Sequence, residues 1–293
     1  MINSQKKIQR LEITSTIGCA MMCEYCPQTL INSERRKKNI DRKLELDNFK
    51  KLMQNVSNKT QIHWSGYSEP LAHENFPEFA NYLKENNYKQ IISTTMFGRK
   101  NSEKFMSEFD GFKSVTFHLP DDKNLMKLKI KEEYLQNLEN AIKFQASYIK
   151  EEVYFLVFGD NFAPEIEKIL KKLVKENIIL QNSIEVRKHL HSRASSIDVD
   201  NLKEANGVQK DNQSYVIDKS KKYYCSHKRL NQGVLLPNGD INLCCHDYSL
   251  NSIIGNLHDQ NLDDIYKQKK IFEQGFSQGN NSICQKCEYY EAF

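Results

Sequence analysis

The eight cysteines of this 293-residue chain fall into two groups that are far apart in sequence. Cys19, Cys23 and Cys26 form the first group, the five cysteines from Cys225 to Cys287 form the second, and no cysteine lies between Cys26 and Cys225. Thiolates are ligands for zinc and for iron–sulfur clusters, and the cytosol keeps thiols reduced and disfavours disulfides. The sequence therefore predicts two separate metal or cluster sites.

The first group has the spacing C-x3-C-x2-C, from Cys19 through Cys23 to Cys26. Structural zinc sites usually take four protein ligands, and this loop offers three thiolates with no histidine nearby. A 4Fe–4S cluster held by three cysteines keeps one iron open to a ligand from outside the protein. The spacing favours such a cluster over a zinc loop or a chance grouping of thiols.

An aromatic residue, Tyr25, stands directly before the third cysteine, and the whole pattern resembles the signature of radical S-adenosylmethionine (SAM) enzymes. The resemblance implies that the open iron binds the amino and carboxylate groups of SAM and that Tyr25 packs against the adenine. It also implies reductive cleavage of SAM to a 5′-deoxyadenosyl radical, which removes a hydrogen atom from the substrate. In such enzymes the cofactor carries the chemistry and the protein orients it.

Further residues match the SAM-binding positions of that family. Residues 64–71 resemble its glycine-rich Glu-Pro motif, although Ser68 stands where glycine is usual before the glutamate. The resemblance implies SAM contacts at this strand end and at the end of the following strand, where a threonine hydroxyl can reach the ribose or the carboxylate. An arginine further along the chain is a candidate partner of the SAM carboxylate, and a surface role fits it equally well. These candidates are Ser65, Gly66, Glu69, Thr94 and Arg193.

The second group resembles the twitch half of the SPASM extension of radical SAM enzymes. The resemblance implies one auxiliary 4Fe–4S cluster with four cysteine ligands, which are Cys225, Cys244, Cys284 and Cys287. From spacing alone, a four-cysteine zinc ribbon is an equal alternative. Cys245 is left over, either as a small buried hydrophobic residue or as a thiol that donates a hydrogen atom to a substrate radical.

Six strand-like segments alternate with helical patterns before the second group. They cover residues 10–16, 61–66, 89–95, 113–119, 152–158 and 183–188, and repeated βα units predict an α/β fold with a parallel sheet. The fold we expect is a partial (β/α)6 TIM-like barrel with a small C-terminal β-hairpin-plus-helix auxiliary-cluster domain. Its chemistry should lie at the C-terminal ends of the strands, and Cys19 follows the first of them.

The predicted domains are a radical SAM core over residues 1–191, a polar linker over 192–222 and an auxiliary-cluster domain over 223–293. In the last of these, residues 234–236 and 241–243 flank Pro237-Asn238-Gly239-Asp240, which is typical of a hairpin turn. A helix is expected over residues 262–272. The polar start of the chain lacks a signal peptide, and no apolar stretch is long enough to span a bilayer. We therefore expect a soluble, cytoplasmic protein.

A net charge of +4 does not suggest a nucleic-acid partner. A basic run soon after the first cysteine loop is either solvated surface or a docking site for an electron donor of flavodoxin or ferredoxin type. The run consists of Arg35, Arg36, Lys37, Lys38, Arg42 and Lys43. Three histidines at or near strand ends are candidates to face the substrate, or are ordinary hydrogen-bonded histidines. These are His118, His189 and His191.

One core cluster with one fully ligated auxiliary cluster is a layout that resembles radical SAM aminocyclitol dehydrogenases. A cluster with four cysteine ligands has no open iron for substrate, but it can accept an electron. The leading hypothesis is therefore hydrogen abstraction and two-electron oxidation of a small polar substrate, such as a sugar or aminocyclitol carbinol. The alternatives are a peptide-modifying maturase, an epimerase that uses Cys245, and a zinc or iron–sulfur binding module without enzymatic activity.

Overall fold

A mixed sheet with helices on its outer face organises the chain. The computed structural model describes residues 9–98, 100–188, 190–197, 223–225, 232–277 and 283–292. Its strands are β1 (Arg10–Ile13), β2 (Gln61–Trp64), β3 (Lys89–Thr94), β4 (Phe112–His118), β5 (Val153–Phe158), β6 (Ile184–Arg187), β7 (Tyr223–Cys225), β8 (Gln232–Leu235), β9 (Asp240–Asn242), β10 (Ile253–Asn256) and β11 (Tyr290–Ala292). Its helices are α1 (Gln28–Lys37), α2 (Leu46–Met53), α3 (Phe76–Glu85), α4 (Lys100–Met106), α5 (Glu132–Ile149), α6 (Pro164–Lys175) and α7 (Leu262–Ser277).

The six strands β1 to β6 lie side by side in chain order, and each neighbouring pair is parallel. Helices connect them, because a parallel pair needs a crossover that returns the chain to the same edge. This arrangement confirms the predicted α/β fold with a partial barrel. No helix of the described chain combines the length and the apolar composition needed to cross a membrane.

The outer face of the barrel strands packs against the helices as the main hydrophobic core. On β2, Ile62 and Trp64 are fully buried. The Trp64 ring lies 5.9 Å from that of Phe49 on α2 and 5.2 Å from that of Phe76 on α3. Because side chains alternate along a strand, His63 between them points to the opposite side, into the barrel.

The first strand ends earlier than the sequence predicts. Strand β1 ends at Ile13, with one last hydrogen bond from the amide of Thr14 to Leu235, and the residues after it pair with the segment before α2. The amide of Ile17 donates to the carbonyl of Arg42 at 2.8 Å, and the amide of Leu44 donates to the carbonyl of Ser15 at 2.9 Å. These hydrogen bonds fix the chain where it enters the first cysteine loop.

The C-terminal hairpin continues the main sheet. Strand β8 pairs in parallel with β1, from Arg10 opposite Gln232 to Ile13 opposite Leu235. Antiparallel β9 and β10 follow, so that the sheet order is β10-β9-β8-β1-β2-β3-β4-β5-β6. The hairpin itself is confirmed at the predicted place, with a turn in which Gly239 has a φ of +89°. Helix α7 runs further than the expected 262–272.

Tyr67 joins the end of β2 to the C-terminal segment. Its ring is 1% exposed, and its hydroxyl is 3.0 Å from the carbonyl oxygens of Cys244 and Asp247. It also accepts a hydrogen bond of 2.7 Å from Nδ2 of Asn242. A buried hydroxyl that satisfies several polar groups stabilises the contact between these two parts of the chain.

We predict that Tyr67→Phe lowers the free energy of unfolding by about 1–3 kcal/mol, since it leaves buried partners unsatisfied. Equilibrium urea unfolding of the cluster-loaded protein measures this loss. Tyr154→Phe is the matched control, because Tyr154 is 40% exposed and its hydroxyl lies 3.4 Å from Glu152. Equal effects of the two substitutions would contradict the anchoring role of Tyr67.

Candidate active site

A cavity of about 250 Å³ lies at the C-terminal ends of the barrel strands. The three cysteines of the first group, Cys19, Cys23 and Cys26, line it from the loop after β1. The ends of β2 and β3 and a segment after β9 complete its wall. The first cysteine set and the predicted SAM-binding strand ends thus face one space, as the position of a barrel active site requires.

Local hydrogen bonds hold the cysteine loop in place. Gln28 is central, because its Oε1 accepts from the amide of Cys19 at 2.9 Å and its Nε2 is 3.1 Å from Sγ of Cys26. The same Nε2 is 2.9 Å from the carbonyl oxygen of Tyr67, which connects the loop to the end of β2. Sγ of Cys23 lies 3.3 Å from the carbonyl oxygen of Met126. No sequence pattern indicates this role of Gln28.

The thiols of this loop suit a cluster better than a single ion. Burial raises the pKa of Cys19 to about 11 and that of Cys23 to about 12, so that ionised sulfur here requires a cationic partner. Structural zinc usually takes four protein ligands, whereas the three thiols that line this cavity are the donor set of a 4Fe–4S cluster with one open iron.

The glycine of the second motif is required by close packing. Gly66 has a φ of +66°, and a Cβ atom there would lie 2.2 Å from Oγ1 of Thr14. Glycine is therefore the residue that allows the end of β2 to pass against the end of β1. Ser65 before it donates a hydrogen bond of 3.1 Å to Glu12. Both Ser65 and Gly66 line the cavity, and their contact with SAM stays a prediction.

Glu69 is a buried carboxylate that the protein itself satisfies. Its Oε1 accepts from the amide of Leu71 at 3.1 Å and from Oγ1 of Thr94 at 2.6 Å. Its Oε2 accepts from the amide and the hydroxyl of Thr95, both at 2.7 Å. Burial raises the pKa of Glu69, and these hydrogen bonds oppose the rise. Glu69 therefore ties the ends of β2 and β3 together, and the hydroxyl of Thr94 is committed to it.

An aromatic group lines one side of the cavity. The Tyr25 ring stacks on His118 with centroids 5.8 Å apart, and it lies 5.2 Å from the ring of Phe158. Burial, and then the charges of Arg193 and Arg187, lower the pKa of His118 to about 3. The imidazole is therefore neutral and adds a flat, uncharged surface beside Tyr25. Such a surface is suited to an adenine ring, which supports the predicted role of Tyr25 without testing it.

The adjacent cysteines after β9 belong to different environments. Cys245 lines the first cavity together with Tyr248, whose hydroxyl is 3.6 Å from Sγ of Cys26. Cys244 instead packs against the main core together with Cys284 and Cys287. Cys245, the cysteine left over from the predicted ligand sets, therefore faces the first cavity.

Three cysteines of the second set, Cys225, Cys284 and Cys287, lie near one another around a short turn. The turn at Cys284–Lys286 closes with a hydrogen bond of 3.0 Å from the amide of Cys287 to the carbonyl of Cys284. Strand β7 pairs with β11, which places Cys225 opposite Tyr290. Burial raises the pKa of Cys284, and nearby Cys287 and Cys225 raise it further. Four thiols are the ligand set of a fully coordinated cluster, and the participation of Cys244 beside these three stays a prediction.

His246 lies between the two sites and was not identified from the sequence. Its Nδ1 is 3.9 Å from Sγ of Cys287, and its Nε2 is 3.3 Å from Nη1 of Arg193. Because a guanidinium can only donate, Nε2 accepts and Nδ1 carries the proton that faces the sulfur. His246, Cys287 and Glu288 also bring one ligand atom each to within 4.8 Å of one another.

Arg193 and two of the candidate histidines follow β6 in the chain. Arg193 lines the first cavity and also a second cavity of about 420 Å³ beside it, which His246 lines as well. The hydroxyl of Tyr289 is 2.6 Å from Nε2 of His191. His189 lies outside the described residues. The structure thus brings Arg193 and His191 to the space between the two cysteine sets.

Comparisons with protein families agree with this geometry. The model of the radical SAM superfamily matches residues 13–173, and the SPASM model, an iron–sulfur cluster-binding domain, matches residues 225–288. The chain belongs to the radical SAM superfamily. Membership implies iron–sulfur clusters and SAM as its cofactors. Among curated protein sequences, none matches this chain.

Solved structures share the fold at low sequence identity. BtrN, solved in complex with AdoMet and 2-DOIA, is 16% identical with a TM-score of 0.54, and the match covers 97% of this chain and 94% of BtrN. Native anSMEcpe with bound AdoMet is 14% identical with a TM-score of 0.52, over 96% of this chain and 86% of that one. SuiB of Streptococcus suis, bound to precursor peptide SuiA, is 13% identical with a TM-score of 0.52, over 95% and 71%.

We predict that the two sites hold about eight irons per chain when reconstituted anaerobically, as two 4Fe–4S clusters. Cys23→Ala and Cys244→Ala should each reduce the iron content to about half, because each removes one ligand of a different site. Cys245→Ala is the matched control and should keep the full content. Iron, sulfide and zinc analysis measures these values, and stoichiometric zinc at either site would contradict the assignment.

Proposed function

We propose that this chain oxidises a small polar substrate by radical SAM chemistry. A core cluster bound by Cys19, Cys23 and Cys26 would supply the one electron that cleaves SAM to methionine and a 5′-deoxyadenosyl radical, and the substrate would give up a hydrogen atom from a carbinol carbon to that radical. The substrate would then lose one electron to a cluster bound at the second cysteine set and one proton to solvent, which would give a carbonyl product. The net change is a two-electron oxidation of the substrate.

The observation that carries this proposal is the shared position of the three-thiol loop, the Glu-Pro strand end and the aromatic group around one cavity. In the proposed complex, Cys19, Cys23 and Cys26 hold the core cluster. Tyr25 receives the adenine of SAM, and Arg193 pairs with its carboxylate. The second thiol set adjoins this cavity through His246 and Arg193. An electron acceptor so close to the substrate space supports oxidation.

The substrate class is drawn from the layout and from the cavity floor. The layout resembles that of radical SAM aminocyclitol dehydrogenases, and BtrN was solved with 2-DOIA. Polar side chains from the strands form the floor of the cavity, which favours a small hydroxylated molecule. SuiB was solved with a precursor peptide, so peptide modification is the competing substrate class.

A second candidate function is epimerisation, because Cys245 lines the cavity that would hold the substrate. A thiol in this place can return a hydrogen atom to the opposite face of a substrate radical. That step forms a C–H bond, breaks an S–H bond and produces a thiyl radical, which must be reduced by one electron and one proton. The product would be an isomer of the substrate with no change in mass.

We predict that the anaerobic protein, reduced with dithionite, splits SAM into methionine and 5′-deoxyadenosine, and that Cys23→Ala abolishes this. Oxidation yields a product two hydrogens lighter, requires Cys244 and tolerates Cys245→Ala. Epimerisation instead requires Cys245 and, in D2O, places one deuterium in the product, since a thiol exchanges its proton with solvent. Mass spectrometry of products from a sugar and aminocyclitol panel separates the two reactions. Failure of the wild type to split SAM even with these candidates present would remove the proposal.

We also propose that an acidic flavodoxin or ferredoxin docks on the basic residues that follow the first cysteine loop. Within this run, Lys43 pairs with Glu74 and Nη1 of Arg35 donates to the carbonyl of Ile40. Arg36 and Arg42 are both exposed. They lie on α1 and just beyond it, directly after the loop. Long-range attraction between charged surfaces accelerates the encounter of two proteins.

The double substitution Arg36→Glu and Arg42→Glu should slow cluster reduction by flavodoxin by about tenfold at low salt. Reduction by dithionite should be unchanged, because dithionite needs no docking surface. Stopped-flow absorbance in the visible region, where reduction bleaches the clusters, follows both reactions. Lys171→Glu is the control, since Lys171 is also an exposed cation but lies on α6, outside the basic run. Equal slowing with both reductants would contradict docking here.

A further inference from the structure

Glu12 is a carboxylate within the central strand β1 that faces the cavity. It is 5% exposed and lines the cavity below the first cysteine loop. Its neighbours Leu11 and Ile13 are fully buried in the main core. Strand alternation therefore turns Glu12 to the inside of the barrel, and the reaction proposed above assigns it no role.

The protein satisfies Glu12 incompletely. Across the described residues, Oγ of Ser65 provides its one hydrogen bond, 3.1 Å to Oε2, and no cationic side chain pairs with it. The other oxygen, Oε1, accepts no hydrogen bond from the described residues, and it is exposed to the cavity that Glu12 lines. Burying a carboxylate with one neutral donor is costly unless a cation completes it. Glu69, which lines the same cavity, accepts four hydrogen bonds, so that its charge is stabilised by the protein itself.

Polar side chains of the neighbouring strands surround Glu12. His63 lies directly opposite Glu12 in the pairing of β1 with β2, and its Nε2 is 2.9 Å from Oγ of Ser93 on β3. Ser93 in turn lies opposite Thr116 on β4. All of these residues line the cavity. The floor thus offers one carboxylate followed by a row of groups that both donate and accept hydrogen bonds.

We infer that Glu12 binds a protonated amine of the substrate, and that His63, Ser93 and Thr116 receive hydroxyl groups next to it. The substrate class is then an amino polyol, meaning an aminated sugar or cyclitol. This inference rests on the proposed function and makes its substrate class more specific. A divalent ion is a poorer occupant, because it needs several oxygen ligands and the floor holds a single carboxylate that is open.

The test compares matched amine and hydroxyl probes, namely glucosamine with glucose and 2-deoxystreptamine with scyllo-inositol. Isothermal titration calorimetry uses the cluster-loaded, oxidised protein with SAM, so that no turnover occurs. The wild type should bind each amine about tenfold or more tightly than its neutral partner, as expected for a partly buried ion pair. Glu12→Gln should reduce that preference to within about twofold, since the amide keeps the shape but removes the charge.

Two further variants make the result interpretable. Glu12→Asp keeps the charge on a shorter side chain and should retain part of the preference. Glu34→Gln, at an exposed pair with Lys37 on α1, should leave it unchanged. Cluster absorbance and circular dichroism report whether each variant is folded. If Glu12→Gln does not fold, the wild-type preference together with Glu12→Asp decides the question.

The inference is overturned if the wild type binds the amines no more tightly than the neutral probes, or binds none of them. It is also overturned if folded Glu12→Gln keeps the full preference. SAM cleavage with dithionite is measured separately on the wild type. Cleavage without an amine preference rejects this inference alone, whereas an amine preference without cleavage rejects the proposed function.

Discussion

The pairing of β1 on both of its edges is the constraint on which both cysteine sites depend. Arg10 to Ile13 lie opposite β2 on one side and β8 on the other, in parallel on both. The amide of Thr14 extends the second pairing with a hydrogen bond of 3.0 Å to the carbonyl of Leu235. The loop of Cys19 therefore leaves the sheet between the Glu-Pro strand end and the C-terminal hairpin. Neither site can shift without breaking backbone hydrogen bonds of the central strand.

This arrangement gives the two cysteine sites a common wall. The carbonyl oxygen of Cys244 accepts from Tyr67, which stands at the end of β2, while the next residue, Cys245, turns to the cavity. Of these two adjacent cysteines, Cys245 lines the cavity and Cys244 packs against the main core, as Cys284 and Cys287 also do. His246 adds a side-chain path, because it contacts Cys287 on one side and Arg193 on the other. Short separation is what one-electron transfer from a substrate radical to an auxiliary cluster requires.

The cysteine spacing and the strand order were predictable from sequence because both are local. C-x3-C-x2-C and C-x2-C are short patterns, and the βα repeats predicted six parallel strands in chain order. The parallel contact of β8 with β1 was not predictable in this way, since it joins segments more than 200 residues apart. The early end of β1 has the same cause. Thr14 and Thr16 are β-branched and favour a strand, but the backbones of Ser15 and Ile17 beside them bond to Leu44 and Arg42 of another loop.

Side-chain roles were harder to predict than positions. Glu69 and Glu12 are both buried carboxylates of the same cavity. No local sequence pattern shows that Glu69 accepts four hydrogen bonds whereas Glu12 accepts a single one. A signal for Glu12 did exist, since a charged residue between Leu11 and Ile13 in a central strand must face a polar interior. His246 carried no such signal, because its partners Cys287 and Arg193 are 41 and 53 residues away in the chain, and Arg193 begins a tight turn.

That turn explains how one arginine reaches both sites. Arg193, Ala194 and Ser195 have φ values of +52°, +52° and +61°, a left-handed conformation that costs about 1 kcal/mol or more for each residue with a side chain. The turn persists because its ends are held. The amide of Ile197 donates to the carbonyl of Ser192 at 2.9 Å, and the amide of Ser192 donates to Glu288 beside the cysteine turn. Strain of this kind is stored where a side chain must be aimed, and here it aims Arg193 between His246 and the first cavity. The orientation of Arg193 therefore depends on the contact between Ser192 and Glu288, the residue that directly follows Cys287.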